Sequence, residues 1–538
     1  MLQKVIVAIM VALLTFGKQI ACSLLSITRY LWLWEFTDSL SLIFDVLILA
    51  MIALGLSQLL RVLRLDLCRK LYNHLFLVAV ANGVLTTLAP SGALPHVGMS
   101  LSLRLVWIIA WLGILAVTIC SYCKPQLQLV RHAANGCLLF SPLIVIIFAQ
   151  LAMLSEWSSP HETDPSLRPP IPKSTATNQT STPVFVFIFD EWSYRRSFQK
   201  GEFLPELINL RRLSAQSCNF QNAWSYAPTT QLSLPALLFQ RDQTLLPEDR
   251  SAYFQSESGN VSSRDAPSVF RTAKAQGYFT ALQGFFFPYA KILGDQVDYS
   301  RSISWYSRGV GLWGHMKDKF IYQLHWFSDP LTEPLRNVLE ARFQSHRWFA
   351  INTQVREGAL RLLDECPANT LAFFHWPLPH GPFVMNEDGS YRVPYSISEV
   401  LYGGIPSTVE DYHRHLKYLD VIVGQIVAHL KAAGKYDGAM IVMTSDHSWR
   451  HEPEKFKGRV VDLTEVDFRK VPLLIKFPGQ QSAHTVDKTV YNHLALRPLI
   501  DFVLRSKVEE RSALEAIDLL EELSTPSGST SRRPRLWQ

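Results

Sequence analysis

The sequence predicts a multi-span α-helical membrane domain followed by an α/β domain with a mostly parallel central sheet. Hydrophobic residues make up 48% of the 538 residues, and their long runs are concentrated in the first part of the chain. Farther along, short apolar runs alternate with amphipathic helical patterns, which is typical of α/β proteins. We place the membrane domain at residues 1–155, a linker at 156–182, the α/β domain at 183–522 and a disordered tail at 523–538.

The membrane domain is predicted from five apolar runs that reach, or nearly reach, the length needed to cross roughly 30 Å of hydrocarbon. They lie near residues 5–25, 40–60, 71–90, 103–122 and 137–154. Lys18 interrupts the first run, no clear small-residue cleavage site is present, and more apolar runs come after it. We therefore interpret the first run as an uncleaved anchor and not as a signal peptide.

Basic residues in the loops predict the orientation of this domain. The loop "RVLRLDLCRK" between the second and third runs carries four of them, whereas "SGALPHVGMS" between the third and fourth carries none. Because cytoplasmic loops are enriched in Lys and Arg, the N-terminus is predicted to be cytoplasmic. Five spans then place the chain after residue 155 on the periplasmic or extracellular face of a cell membrane, and four spans would reverse this.

Composition limits the partners of the later part of the chain. Residues 156–182 are rich in Pro, Ser and Thr and cannot form a core, so we expect a linker. The net charge of +6 comes mostly from the loops and the tail, and it does not indicate a nucleic-acid partner. Of the seven cysteines, only Cys218 and Cys366 lie in the α/β domain. One disulfide and two buried thiols are both compatible with the sequence.

Apolar runs in the α/β domain end in side chains that can bind metals. Continuous runs of this kind predict strands that are buried on both faces. Acids or imidazoles follow three of them: Asp190 and Glu191 after 184–189, His375 and His380 after 371–374, and Asp446 and His447 after 440–443. A fourth run, "VPLLIKFPG", ends in Pro-Gly. Ligands bind beyond the carboxyl ends of parallel strands, so these side chains are expected to cluster if the strands are neighbours.

Such a cluster suits a divalent cation. Carboxylates with imidazoles favour Zn²⁺ or Mn²⁺, and a mostly oxygen set favours Ca²⁺ or Mg²⁺. Acidic residues at strand ends also serve as turn formers and helix caps. The loop "HWPLPHGPF", with its three prolines, is also compatible with a rigid structural turn.

Helical patterns lie between the strands. The segment "TVEDYHRHLKYLDVIVGQIVAHLKAAGKY" has apolar residues at helical spacing, and the shorter "APSVFRTAKAQGY" is expected to end at Gly277. A third helix is expected after "APTT", where Thr229 and Thr230 precede "QLSLPALL". A hydroxyl bound to a metal becomes a usable nucleophile, and a helix N-terminus favours a transferred anion. The alternative is that either threonine is only an N-cap.

Six segments stand in order between about residues 183 and 505: "VFVFIFDEWSYRRSF", "FLPELINLRRLSAQSCNFQNAWSYAPTTQLSLPALL", "DAPSVFRTAKAQGYFTALQG", "HWPLPHGPF", "YLDVIVGQIVAHLKAAGKYDGAMIVMTSDHS" and "KVPLLIKFPG". In this order they resemble the alkaline phosphatase superfamily in its sulfatase-like branch. That branch includes sulfatases, lipoteichoic acid synthases and lipid A phosphoethanolamine transferases. The resemblance implies a sulfatase-like α/β/α domain.

The resemblance also implies roles for single residues. Thr230, Ser233 and Pro235 fit the T-x-x-S-x-P spacing of the transferases, so Thr230 is the implied nucleophile. The implied metal ligands are Asp190, Glu191, Thr230, Asp446 and His447. The implied substrate-binding residues are His380, His375, His451 and Lys457. Thr230 occupies the position that a Cys or Ser takes in sulfatases, and formylglycine cannot form from threonine.

The predicted function is a membrane-anchored, metal-dependent transfer of a phospho-headgroup. The group, phosphoethanolamine or phosphoglycerol, would pass from a phospholipid donor to an envelope glycan or lipid through a phospho-threonine intermediate. Three departures weaken the phosphoethanolamine assignment: Ser448 and Gln240 replace usual glycines, and the stapling cysteines of those transferases are absent. The alternatives are a phosphodiesterase or sulfuric ester hydrolase, and an inactive membrane scaffold or sensor.

Overall fold

A computed structural model describes most of the predicted α/β domain and part of the membrane domain. The described residues are 2–16, 20, 36–64, 68, 72, 76–77, 80, 126–154, 182–239, 245–248, 251–256, 259–303, 312–314, 316–317, 320, 333–393, 408–450 and 469–505. The chain divides into two compact units, one comprising Met1–Pro160 with Tyr306–Glu340 and the other His161–Trp305 with Ala341–Gln538.

Helices are the regular structure of the first unit's described residues. They include α1 (Leu2–Thr15), α2 (Phe36–Val62), α3 (Gln126–Leu139) and α4 (Pro142–Leu154). Within these residues one helix, Ser39–Val62, is long and apolar enough to cross a membrane. A second span results if the bent pair Val130–Leu139 and Pro142–Leu151 forms one broken span.

The five predicted spans are therefore only partly matched. The run at 40–60 coincides with α2, and the run at 137–154 falls in the bent pair. Helix α1 covers part of the run at 5–25, but it has 14 residues and is too short to cross by itself. The runs at 71–90 and 103–122 lie almost wholly outside the described residues.

The second unit is built on an eight-stranded sheet. The strands of the unit are β1 (Val184–Phe189), β2 (Phe198–Gln199), β3 (Glu202–Phe203), β4 (Cys218–Trp224), β5 (Leu245–Glu248), β6 (Ser251–Ser256), β7 (Gly259–Ser262), β8 (Phe279–Phe285), β9 (Tyr299–Ile303), β10 (Thr370–Trp376), β11 (Met440–Ser445), β12 (Leu473–Lys476) and β13 (His484–Tyr491). The order of strands in the large sheet is β13-β4-β12-β11-β1-β10-β8-β9.

The sheet is parallel except at one strand. Strand β1 pairs in parallel with β10 and with β11, and β10 continues in parallel through β8 to β9. Strand β12 runs antiparallel to both of its neighbours, β11 and β4. All six residues of β1 are buried, as its unbroken apolar sequence predicts for a central strand. The predicted α/β fold with a mostly parallel sheet is confirmed.

Helices pack on both faces of this sheet. The helices of the second unit are α5 (Tyr194–Ser197), α6 (Ile208–Ser214), α7 (Thr230–Phe239), α8 (Val269–Ala275), α9 (Tyr289–Leu293), α10 (Glu333–Glu365, in this unit from Ala341), α11 (Val409–Ala432) and α12 (Asn492–Arg505). The side chains of Phe185, Phe187 and Phe189 share one core with α6, α10 and α11. On the other face Phe373 packs edge to face against Phe270 of α8, with ring centroids 5.0 Å apart. The sheet is therefore the middle layer of an α/β/α sandwich.

The longest predicted helix of the α/β domain is confirmed in α11. It begins after Thr408, whose Oγ1 accepts a hydrogen bond from the backbone N–H of Asp411 at 3.1 Å. Leu416, Leu419 and Val423 are buried at the predicted helical spacing. Helix α8 stops before Gly277, which has φ = +80° and so allows the chain to turn out of the helix.

The two cysteines of the α/β domain are free thiols. Cys218 lies against the side chain of Gln480, and Cys366 lies 3.3 Å from Nζ of Lys435. Burial raises the pKa of Cys218 to about 11. Of the two possibilities that the sequence allows, the structure has the unpaired thiols.

Candidate active site

The carboxyl ends of three adjacent strands form the floor of the site. Ile188 of β1 lies in register with His375 of β10 on one side and with Thr444 of β11 on the other. The residues that follow β1 and β11 therefore leave the sheet at the same edge. This register brings the side chain of His375 to the two acid-bearing strand ends, as the sequence predicts.

Thr230 is the first residue of α7. The carbonyl of Thr229 accepts the backbone N–H groups of Leu232 and Ser233 at 3.1 and 3.0 Å, so the cap position falls to Thr229. Ser233 closes the loop before the helix, because its Oγ donates to the carbonyl of Ala227 at 2.7 Å and accepts that residue's N–H at 3.0 Å. Thr229 and Ser233 therefore make the contacts at the start of the helix, and the Thr230 hydroxyl is not needed as a cap.

The hydroxyl of Thr230 is directed to the strand ends. Its Oγ1 lies 3.3 Å from Nε2 of His447 and 3.5 Å from Oδ1 of Asp190. The residue is buried, and the first turn of α7 presents a partial positive charge at this point. A hydroxyl, an imidazole and a carboxylate from three elements therefore meet at one place.

Two carboxylates and an imidazole form a buried cluster there. One ligand atom each of Asp190, His375 and Asp446 lies within 4.8 Å of the other two. Among the described residues, Nε2 of His375 and Oδ2 of Asp446 have no hydrogen-bond partner. Buried polar atoms rarely lack a partner, and these two atoms are available to bind a metal ion. This donor set of carboxylate oxygens and an imidazole nitrogen fits a divalent cation.

The charge of the cluster supports the same conclusion. Burial raises the pKa of Asp190, and the nearby carboxylate of Asp446 raises it further. Two buried carboxylates in such proximity repel each other unless a cation or a proton is shared between them. A bound cation removes that repulsion.

His447 presents an unprotonated nitrogen to the cluster. Its Nδ1 lies 3.0 Å from the carbonyl oxygen of Ser448, which can only accept a hydrogen bond. The neutral ring therefore carries its proton on Nδ1 and a lone pair on Nε2. That Nε2 lies 3.5 Å from a carboxylate oxygen of Asp190 and 3.5 Å from one of Asp446.

Glu191 faces a second group of side chains. Its φ is +63°, a left-handed conformation that is costly for residues other than glycine, and Tyr412 donates to its carbonyl at 2.9 Å. The carboxylate accepts Nε–H of Arg450 at 2.9 Å and lies 3.9 Å from Nε2 of His380. Burial disfavours the charge of Glu191, but His380, His447 and Arg450 outweigh it and lower the pKa of Glu191 to about 2.

His380 is held beside this pair. Its backbone N–H donates to the carbonyl of Asp190 at 3.1 Å, and its ring lies against Trp348 with centroids 5.4 Å apart. Burial favours the neutral ring, but Glu191 and Asp190 outweigh that effect and raise the pKa of His380 above its ordinary value. His380 is therefore suited to carry a positive charge near the cluster.

The structure thus brings together seven of the nine predicted site residues. Asp190, Thr230, Asp446 and His447 converge with His375, whereas Glu191 and His380 form the adjacent group with Arg450. His375 lies among the carboxylates, although the resemblance pairs it with His380 as a substrate-binding residue. The other two, His451 and Lys457, lie outside the described residues. The roles of all nine stay predictions.

Arg450 is a site residue that the sequence analysis did not find. It lies four residues after Asp446, and its side chain returns to Glu191. It stands at no spacing that is typical of a ligand, and the motif "SDHS" ends at Ser448, before Arg450. The available signal was its position just beyond a strand that ends in an acid and a histidine.

The Sulfatase family model matches residues 183–500, more than half of the chain. The chain therefore belongs to the sulfatase family, and the resemblance inferred from its motifs is confirmed. Enzymes of this family are typically dependent on a divalent metal, which agrees with the buried Asp-His-Asp cluster.

Two lipoteichoic acid synthases show local similarity. The chain is 29% identical over 108 residues to lipoteichoic acid synthase 1 of Bacillus subtilis, which covers 19% of this chain and 16% of that protein. It is 30% identical over 128 residues to lipoteichoic acid synthase of Staphylococcus saprophyticus, which covers 22% of this chain and 18% of that protein. The matches thus span less than a fifth of either relative.

Solved structures of the superfamily align weakly. A protein in the alkaline phosphatase superfamily from Vibrio parahaemolyticus has a TM-score of 0.36 and 14% identity, covering 65% of this chain and 73% of that one. Phosphonate monoester hydrolase of Agrobacterium radiobacter has a TM-score of 0.34 and 15% identity, covering 60% and 73%. Scores this low add nothing to the family assignment.

Proposed function

We propose that this protein is a membrane-anchored, metal-dependent transferase that moves a phospholipid headgroup through a phospho-threonine intermediate. The donor would be a phospholipid and the acceptor an envelope glycan or lipid. The observation that carries the proposal is the position of Thr230, whose hydroxyl begins a helix and lies 3.3 Å from Nε2 of His447 and 3.5 Å from Asp190.

The metal would be held by the buried cluster. Its candidate ligands are Asp190, Asp446, His447, Thr230, Glu191 and His375. When bound, a divalent cation lowers the pKa of the threonine hydroxyl and stabilises negative charge on phosphoryl oxygens. The orphaned atoms of Asp446 and His375 support a ligand at this place.

In the first step Oγ1 of Thr230 attacks the phosphorus of the donor. With Nε2 of His447 bound to the cation, the acceptor near its proton is Oδ1 of Asp190, 3.5 Å from Oγ1. The bond between phosphorus and the diacylglycerol oxygen breaks, and that oxygen takes up a proton. His380, whose Nε2 lies 3.9 Å from a carboxylate oxygen of Glu191 beside the cluster, is the candidate donor of this proton. Arg450 is suited to bind a phosphoryl oxygen beside it.

In the second step an acceptor hydroxyl attacks the same phosphorus. Its proton passes to a base of the site, the bond to Oγ1 breaks, and Thr230 recovers its hydroxyl proton. The transferred group would be phosphoglycerol or phosphoethanolamine. The local similarity to lipoteichoic acid synthases favours phosphoglycerol.

The location that we propose is a cell membrane crossed several times, with the α/β domain on the outer face. The apolar helix Ser39–Val62 supports an anchor. The orientation rests on the basic loops of the sequence. An enzyme held at the surface of a bilayer reaches both a lipid donor and a membrane-bound acceptor without releasing either.

The decisive experiment is the intact mass of the purified protein after incubation with phospholipids of defined headgroup. We expect an added mass of one phospho-headgroup on Thr230, absent from Thr230→Ala. Thr229→Ala is the matched control, because Thr229 contributes its carbonyl and not its hydroxyl to the helix start. Persistence of the adduct in Thr230→Ala would refute the assignment of the nucleophile.

Hydrolysis is the second candidate, and membership of the sulfatase family favours it. Product analysis with and without a glycan or polyol acceptor separates the two. Release of free headgroup phosphate in both cases identifies a phosphodiesterase, whereas headgroup on the acceptor identifies a transferase. A protein that binds no metal and forms no adduct would be the inactive scaffold or sensor.

A further inference from the structure

The segment 284–289, "GFFFPY", lies beside His375 and has no role in the chemistry described above. Gly284 of β8 is the register partner of His375 in β10. A Cβ atom on Gly284 would lie only 2.6 Å from Cβ of His375 and 3.1 Å from the hydroxyl oxygen of Tyr289. Only glycine therefore permits the observed approach of the histidine to this segment.

Two groups of the segment fix the proton of the histidine ring. Nδ1 of His375 lies 2.8 Å from the carbonyl oxygen of Phe285 and 2.9 Å from the hydroxyl oxygen of Tyr289. The Tyr289 hydroxyl donates its single proton to the same carbonyl at 2.8 Å. A carbonyl oxygen can only accept, so Nδ1 carries the ring proton and Nε2 keeps its lone pair.

The turn between these two groups is firmly held. Phe286 has φ = +86°, a conformation that bulky side chains rarely adopt and that persists only when the surroundings enforce it. The turn brings Tyr289 back over Phe285, where it is fully buried. The backbone N–H of Tyr289 donates to Oγ of Ser302 in β9 at 2.9 Å, which ties the segment to a second strand.

We infer that the 284–289 segment is a positioning device that presents Nε2 of His375 as a neutral nitrogen ligand to a cation bound by Asp190 and Asp446. The inference rests on the metal site of the proposed function and adds Tyr289 as a positioning residue. The buried, partnerless Nε2 is the independent sign of a ligand. A nitrogen donor held in this way selects Zn²⁺-like cations over Ca²⁺ and Mg²⁺, which prefer oxygen.

A purely structural role for Tyr289 predicts different behaviour. If its hydroxyl only stabilised the turn, its loss would lower thermal stability and affect metal affinity equally whether or not His375 is present. If it acts through His375, the two side chains are energetically coupled in metal binding. A double-mutant cycle measures that coupling directly.

The experiment measures Zn²⁺ affinity of the full-length protein in detergent by competition with a chelating dye, without substrate. We expect Tyr289→Phe to weaken Zn²⁺ binding about 10-fold, as is usual when a partner of a metal-bound histidine is removed. His375→Ala should weaken it more, and the double variant should match His375→Ala alone. Tyr299→Phe is the matched control, since Tyr299 is a buried tyrosine whose hydroxyl has no hydrogen-bond partner among the described residues.

Gly284→Ala is an independent variant that tests the same device through sterics. It should displace His375 and weaken Zn²⁺ binding while Ca²⁺ binding changes little. The inference is overturned if Tyr289→Phe leaves Zn²⁺ affinity unchanged, if it weakens binding equally in the His375→Ala background, or if the wild-type protein binds no Zn²⁺.

The outcomes separate this inference from the proposed function. Zn²⁺ binding that depends on Tyr289 without any adduct on Thr230 would sustain the positioning device and remove the transferase. An adduct on Thr230 together with unchanged Zn²⁺ affinity in Tyr289→Phe would sustain the transferase and refute the positioning device.

Discussion

At the scale of single residues, Glu191 and Arg450 form the most informative contact. The buried carboxylate and the guanidinium share a 2.9 Å hydrogen bond, and Arg450 remains about a third exposed with its side chain 34% accessible. A partly accessible arginine beside a buried anion can offer its remaining donors to a substrate phosphate. The pair therefore links the metal cluster to the expected position of the transferred group.

Arg450→Gln is expected to raise KM about 10- to 100-fold and to lower kcat less, because a charge-assisted hydrogen bond to phosphate contributes about 1.5–3 kcal/mol. Steady-state kinetics on a phospholipid donor measures this split. Arg450→Lys should recover part of the loss. Arg414→Gln is the control, because Arg414 pairs with Asp411 within α11. Equal KM values for Arg450→Gln and wild type would contradict a role in substrate binding.

Residues also show where sequence reasoning reached its limit. The sequence predicts four site residues because they come directly after apolar strands: Asp190, Glu191, Asp446 and His447. The position of His375 among the carboxylates depends on the register of β10 with β1, which no local pattern encodes. The roles of Gly284 and Tyr289 are hidden in the sequence for the same reason, because both residues contact His375, about 90 positions away in the chain.

At the scale of elements, helix α11 holds two neighbouring backbone segments in place through the buried side chains of Asp420 and His415. Asp420 accepts the backbone N–H groups of Asn209 and Leu210 at 3.1 and 2.7 Å, at the start of α6. His415 accepts the backbone N–H of Met385 through Nε2 at 3.1 Å. Each fixes a segment that would otherwise leave buried donors unsatisfied.

Asp420→Ala is expected to lower the free energy of unfolding by about 1–3 kcal/mol, because it strands the donors at the start of α6. Denaturant titration at neutral pH measures the change. Asp364→Ala serves as the comparison, since Asp364 is an exposed partner of His429 and should change stability by less than about 0.5 kcal/mol. A similar loss in both variants would argue against a role of Asp420 at the start of α6.

His415 is expected to make the domain sensitive to acid. Burial lowers its pKa from 6.5 to about 3 in the folded protein, so the unfolded chain binds the extra proton between these values. Stability contributed by the neutral ring is present above pH 6.5 and is lost as pH falls toward 3. The slope from this one group approaches about 1.4 kcal/mol per pH unit.

The measurement is unfolding free energy between pH 4.5 and 7 for wild type and His415→Gln, whose amide oxygen can still accept the N–H of Met385. The variant should show a shallower slope. An unchanged slope in His415→Gln would show that the ring is not the source of the acid sensitivity.

Elements differed in how far the sequence predicted them. Strands β1, β10 and β11 and helix α11 follow from buried apolar runs and helical spacing. Strand β13, "HTVDKTVY", is exposed at most positions, and β4 contains Asn and Gln. Both lie at one side of the sheet, where backbone pairing and not side-chain burial determines the strand. The reversed direction of β12 is likewise a property of pairing that its sequence does not carry.

At the scale of the whole molecule, folding and metal binding are expected to be linked. Asp190 and Asp446 bring two buried carboxylates together, which is unfavourable until a cation is shared. A cation that binds only the folded state at 100 times its dissociation constant stabilises it by about 2.7 kcal/mol. The apo and metal-loaded proteins should therefore unfold at clearly different temperatures.

In the absence of metal, Asp446→Asn should stabilise the folded protein, whereas most substitutions destabilise it. After chelation the variant is expected to unfold at a higher temperature than wild type, because the carboxylate repulsion is gone. With Zn²⁺ present it should unfold at a lower temperature. Calorimetry of both proteins with and without chelator tests this, with Asp364→Asn as the control. A variant less stable than wild type under both conditions would contradict the repulsion.

The register between β1 and its two neighbours has a consequence for how such enzymes diversify. The reacting groups lie where buried strands end, so the pairing of those strands determines the distances between the groups. Those distances tolerate little variation. Contacts with a headgroup or an acceptor must be made by the loops and helices that follow the strand ends. New substrates can thus arise by exchanging connections while the chemistry is kept, and the chain's relatives are best compared at those connections to learn what each one carries.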